Sequence, residues 1–184
     1  MKHYTEDLLG RATLAIAREA IARALELEHA AAVARMPELD QPAATFVTLK
    51  CNGDLRGCIG SVEARRALGD DVTHNARAAA YRDPRFHPVT PGELPRLDVE
   101  VSVLSPRVPL EAMSEAEALR KLRPGIDGIC FEFHDLASTF LPQVWESLPE
   151  PAIFLAELRR KAGLAPNFWH PDVRLSRYTV EKYQ

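Results

Sequence analysis

Membrane spans, secretory leaders, disulfide frameworks and broad nucleic-acid surfaces each leave a mark that this sequence lacks. No apolar run approaches the roughly 18 to 20 residues that a bilayer span needs. Glu6 and Asp7 stand where a secretory leader would be basic and then apolar, which predicts no export. Cysteine is scarce: Cys51, Cys58 and Cys130 make neither an even disulfide set nor a C-x-x-C metal pair, so reduced thiols in the cytoplasm are the simplest expectation. His134-Asp135 and His170-x-Asp172 offer metal-binding side chains, but their spacing resembles no zinc or iron cage. Arg56 to Gly60 contains two glycines without the strand-to-helix context of a phosphate loop. No metal or cofactor is therefore expected. A net charge of −3 argues against a broad basic footprint, and Arg65-Arg66 and Arg159-Arg160-Lys161 read as solvated helix ends or faces.

What is present is an ordinary globular composition, 46% hydrophobic and 27% charged over 184 residues, enough for one domain or two small packed lobes. The chain is organised around Thr45 to Gly60, where two β-prone runs flank Asn52-Gly53, a strong hairpin signal because both residues tolerate positive φ. The second run carries Gly57 and Gly60, which pack nothing and permit close approach of another backbone or a ligand. Arg56 and Cys58, two apart, leave the strand on one side. A two-residue loop would set Cys58 opposite Val47 and Arg56 opposite Leu49. A three-residue loop would pair Val47 with Ile59 and Cys51 with Leu55. The second separates an apolar face from one bearing Thr48, Lys50, Arg56 and Cys58, and is weakly preferred.

Around the hairpin, Thr5 with Glu6 and Asp7 reads as an N-cap and first turn, and the spacing of Leu9, Ala12, Ile16, Ala20, Ala24 and Leu27 predicts a helix to about residue 27. An Ala-rich continuation would run to Arg35, and residues 36–44 form a linker. A second helix is predicted over Leu68 to Tyr81, then a loop with a Thr90-x-x-Glu93 capping box, then a half-buried strand from Leu97 to Val103. Ser114-x-x-Glu117 opens a third helix that Pro124-Gly125 closes; strands follow at Gly128–Phe133 and Ala137–Leu141. Pro149 to Pro151 starts a fourth helix with Gly163 as its C-cap, and Asp172–Val180 is a last strand candidate. The order helix, hairpin, helix, strand thus occurs twice, with a boundary near residues 106–109, and suggests a structural duplication in an antiparallel α+β fold.

The segments Phe46-Val47-Thr48-Leu49, Leu55-Arg56-Gly57-Cys58-Ile59-Gly60, Arg82-Asp83-Pro84-Arg85-Phe86, Val99 to Leu104 and Thr139 to Trp145 resemble the AMMECR domain family, in order and over nearly the whole chain. The LRGCIG hexapeptide is specific for that family; Cys51 and Gly69 are small departures outside it. The resemblance implies a single AMMECR domain over residues 1–184, with internal repeats 1–106 and 107–184. It implies α+β architecture: two α/β repeats sharing a curved, barrel-like, mainly antiparallel sheet flanked by helices. It further implies a place as protein A of the AmmeMemoRadiSam group, beside a Memo-like protein and a radical S-adenosylmethionine enzyme. The family's own activity is unresolved.

Cys58 is the candidate nucleophile, since a thiolate beside a guanidinium is favoured and His74 or His87 would be the nearest base; its bland alternative is a small buried strand residue. Arg56 would hold a carboxylate or phosphate, or else form an internal ion pair with Asp83 or Glu100. Gly57 and Gly60 would leave access. Asn75 on helix 2, Asp83 and Arg85 after its end, and Glu100 on the following strand are candidate binding residues, with Asp83 also an ordinary turn residue. Thr139 and Gln143 would line the same cleft if the repeats face each other, and Trp145 suits core better than site. Three functions stay open: a thiol enzyme acting on a small molecule or modified nucleotide, a non-catalytic partner-docking subunit, and a small-ligand carrier or sensor.

Overall fold

A computed structural model describes residues 2–27 and 36–184. They fall into two units, Met1–Leu104 with Glu181–Gln184, and Ser105–Val180. The expected helical continuation to Arg35 lies outside the described residues.

In the first unit helix α1 spans Lys2–Ala24, so it starts ahead of Thr5 and ends before Leu27. Strand β1 (Pro42–Cys51) begins earlier than the linker reading placed it, because Pro42 and Ala43 pair with a two-residue strand β3 (Arg66–Ala67). β2 covers Asp54–Gly60, α2 covers Leu68–Tyr81 as its periodicity predicts, and β4 covers Leu97–Leu104. One sheet runs β2-β1-β4-β9, where β9 (Val180–Tyr183) is a terminal strand that the single predicted strand over 172–180 did not separate. Val47, Leu49, Val99 and Val101 line one face and are at most 4% exposed. They pack on Ala17 and Ile21 of α1 and on Val72, Ala76 and Ala79 of α2. Burying such a set drives the unit together, at about 25 cal/mol per Å² of apolar surface.

The second unit holds β5 (Val108–Pro109), α3 (Glu115–Lys121), the hairpin β6 (Gly128–Phe133) and β7 (Leu136–Phe140), α4 (Pro151–Lys161) and β8 (Arg174–Tyr178). Ser114 caps α3 by accepting from the Glu117 N–H, as its box predicts, and Gly163 ends α4 with φ of +83°. The sheet order is β5-β8-β6-β7. Ile129, Phe131 and Leu175 pack on Phe154, Leu155 and Leu158 of α4.

The architecture is α+β with antiparallel pairing, as expected. The described strands form two antiparallel sheets, and the C-terminal β9 crosses the sequence boundary, returning to the edge of β4. In each unit the hairpin's first strand sits between its partner and the strand that follows the second helix, so β2-β1-β4 and β7-β6-β8 have the same order. Among the described residues no helix is long and apolar enough to cross a membrane.

Candidate functional site

Asn52 and Gly53 form a two-residue turn with φ of +54° and +87°, as a tight hairpin requires. Cys51 pairs with Asp54 and Lys50 with Leu55, and then the register shifts. Leu49 faces Gly57, Thr48 faces Cys58 and Val47 faces Ile59, which leaves Arg56 as the extra residue of a β-bulge. Each sequence alternative was half realised: the loop has two residues, yet the bulge restores the pairing of Val47 with Ile59.

That register turns Gly57 toward α2, where a Cβ would overlap the Ala79 carbonyl oxygen. Gly60 makes room for the Phe46 ring. Cys58 points to the opposite, helix-free face. Its N–H is given to Asp83 at 2.9 Å, so it faces away from β1, and Cys58 and Thr48 form the closer, non-hydrogen-bonded kind of pair. Their Sγ and Oγ1 are accordingly 3.3 Å apart. Thr48 in turn lies opposite Glu100 on β4, so Glu100, Thr48 and half-buried Cys58 make one row across the sheet. Glu100 is 9% exposed and is met by Lys182 at 3.2 Å and Lys50 at 3.8 Å.

β2 is an edge strand, and its exposed backbone at Cys58 is covered by side chains instead of another strand. Asp83 takes the N–H, and Arg85 donates to the Cys58 carbonyl at 3.4 Å while bonding Asp83 at 2.7 and 2.9 Å. The Arg85 side chain, with burial opposing and the Cys58 and Arg85 backbone N–H groups assisting, holds the Asp83 carboxyl far below the usual range. Arg85 is raised mainly by its hydrogen bond to Asp83.

Arg56 is committed elsewhere. Its guanidinium grips Glu93 at 2.7 and 3.2 Å and donates to the His87 and Pro88 carbonyls, fastening the loop that follows α2. The ion pair foreseen with Asp83 or Glu100 is thus made with Glu93, whose carboxylate also accepts the Thr90 N–H and hydroxyl in the predicted capping box. Arg56 first, then the Thr90 N–H, lower Glu93 to about 2. An unfolded glutamate titrates near about 4.3. The clamp therefore stabilises the fold fully above about pH 5 and loses its effect as pH falls toward 2. Glu93→Gln is expected to cost about 2 kcal/mol at pH 7, with a deficit that closes on acidification. Urea titrations of both proteins at pH 7 and pH 3 check this; a deficit independent of pH contradicts the assignment.

Asn75 is buried on the helix-packed face, not beside Cys58. Its Nδ2 reaches Thr45, Ser61 and Asp71 at 2.9 to 3.0 Å. Asp71, which sequence reasoning passed over, is the hub: fully buried, it accepts from the Thr45 N–H and hydroxyl, from Ser61 and from Arg66. The available signal was the i,i+4 pair Asp71 and Asn75 on the same stripe as Val72, Ala76 and Ala79. His74 lies exposed on the other side of α2, and His87 contributes its carbonyl to Arg56. Among the described residues neither imidazole bonds the thiol, and no three His, Cys, Asp or Glu side chains gather to hold a metal.

Thr139 and Gln143 belong to the second unit. The Thr139 hydroxyl bonds the Ile129 carbonyl at 2.8 Å, meets the Tyr178 hydroxyl at 2.9 Å and accepts from the Cys130 thiol at 3.4 Å. Burial pushes Cys130 up and Tyr178 up to about 12. Gln143 is exposed. Trp145 is core, stacked on Phe154 at 3.7 Å with its N–H on the Asp127 carbonyl. Cys58, Gly60, Asp83, Arg85 and Glu100 are therefore gathered around one edge and face of the first sheet, while Gly57 faces α2 and Arg56 and Asn75 serve the scaffold beside it.

A family model described as AMMECR1 matches residues 14–183. An archaeal protein of Methanothermobacter thermautotrophicus is 39% identical over 183 residues, covering 94% of this chain and 92% of its own. One from Thermococcus gammatolerans is 41% identical over 157 residues, covering 80% and 75%. The crystal structure of an uncharacterised protein from Pyrococcus horikoshii is similar in fold, with a TM-score of 0.78 and 35% identity, covering 91% of this chain and 86% of that one.

Proposed function

The chain belongs to the AMMECR1 family, and from that premise we propose that Cys58 is the reacting thiol of a site for a small molecule or modified nucleotide, in a cytoplasmic system with a Memo-like protein and a radical S-adenosylmethionine enzyme. One observation carries the reading. Within the hexapeptide, Arg56 clamps a loop, Gly57 and Gly60 make room, and Ile59 joins the core, but packing does not require a thiol at position 58. Cys58 is half-buried on the helix-free face with the Thr48 hydroxyl 3.3 Å from its sulfur, in a contact where either group can donate and where the hydroxyl can stabilise a thiolate. Asp83 and Arg85 act as positioning residues by fixing the Cys58 backbone.

Brief exposure of the folded protein to iodoacetamide, followed by peptide mapping, tests it. Cys58 is expected to label first, half-buried Cys51 more slowly, and Cys130, 2% exposed, after denaturant only. Cys58→Ser is expected to remove the fast phase and leave the fold intact. Labelling of Cys51 ahead of Cys58 speaks against the reading. The commitment of Arg56 favours a second one, a non-catalytic docking subunit, because the expected anion anchor is already occupied. Capture of the Memo-like protein or the radical enzyme by the Cys58→Ser variant as well as by the parent supports it; capture by neither removes it.

A further inference from the structure

The solvent side of α2 carries a hollow of about 420 Å³, within the first unit and away from the face that packs on the sheet. Its wall includes Arg66, Asp70, His74, Arg77 and Arg82, all exposed. Exposed arginines on a helix are ordinarily spent on acids a turn away. Here, among the described residues, the side chains of His74, Arg77 and Arg82 make no hydrogen bond or ion pair with the protein. Arg66 is tied through Nη1 to buried Asp71 at 3.0 Å, which fixes its position and leaves its other donors free. Cations outnumber the acids at this hollow, in a chain whose net charge is −3.

Such an arrangement suits one kind of ligand. Guanidinium forks match phosphate oxygens, and three of them line the hollow: Arg66 just before the helix, Arg77 on it and Arg82 just past its end. The size suits a small molecule. Six of the seven lining side chains are polar or charged, so the ligand is read by its charged oxygens.

We propose that this hollow binds a small phosphate-bearing anion, held by Arg77, Arg82 and His74 against the fixed guanidinium of Arg66. The site is separate from the Cys58 face and does not depend on the thiol reading. Calorimetric titration with inorganic pyrophosphate at low ionic strength tests it. Saturation at one site per chain is expected, weakening as salt rises. The Arg77→Gln, Arg82→Gln double variant is expected to bind about a hundredfold more weakly, near tenfold per arginine. Its thermal unfolding should match the parent, because both side chains are exposed. Arg65→Gln serves as control, since Arg65 lies outside the lining and pairs with Glu63. Absence of saturation up to about 5 mM, unchanged affinity in the double variant, or an equal loss in Arg65→Gln would overturn the proposal, the last by showing diffuse attraction only.

Discussion

Gly57→Ala is expected to destabilise the fold by about 3 kcal/mol, or to prevent its accumulation as a folded protein. The added Cβ would enter the Ala79 carbonyl oxygen, which is helix backbone and cannot rotate aside. Relief would require α2 to lift off β2, and that movement would strip Val72, Ala76 and Ala79 from the sheet they cover. Gly60→Ala provides the comparison. There the obstacle is the Phe46 ring, a side chain that can turn, so a loss of about 1 kcal/mol is expected. Denaturant titrations of both variants check the pair. Equal losses would mean that the closeness of β2 and α2 does not set the demand for glycine at position 57.

Asp71→Ala is expected to cost about 3 kcal/mol or more, as breaking a buried hydrogen-bonded charge does. The Thr45 N–H and hydroxyl would lose their acceptor inside the fold and the Asn75 amide one of its several, while Arg66, partly exposed, could return to water. Asp71→Asn keeps the shape and one acceptor oxygen and should fall between. The neighbouring Asp70 is exposed, so Asp70→Ala should stay within about 0.5 kcal/mol of the parent. Thermal unfolding of the three variants gives the ranking, and a similar effect at positions 70 and 71 would contradict the assignment of Asp71 as a hub.

Local signals in the sequence were enough for α2, β4, the Ser114 cap and the Asn52-Gly53 turn, because periodicity, capping chemistry and positive φ act within a few residues. The bulge at Arg56 was not legible, since it arises from matching two strands to each other and to α2 rather than from a turn preference. The partner of Arg56 shows the same limit: the Thr90-x-x-Glu93 box is a local pattern, but its meeting with an arginine 37 residues earlier belongs to the tertiary fold. Asp71 and Asp70 differ in burial only through helix phase, which the apolar stripe of α2 made readable. For the candidate site, Cys58, Asp83, Arg85 and Glu100 were legible as residues, whereas the covering of the strand edge by Asp83 and Arg85 required the register. The division into two sheets likewise depends on pairing that no single segment encodes.

The claim that Cys58 is a working thiol meets its most direct test in one ratio, the iodoacetamide rate of Cys58 in the folded protein over that of the same residue in denaturant. Incomplete burial and the neighbouring Thr48 hydroxyl lead to a folded rate that matches or exceeds the unfolded one. A folded rate about a hundredfold below it, the mark of a thiol reached only when the structure opens, would contradict the account.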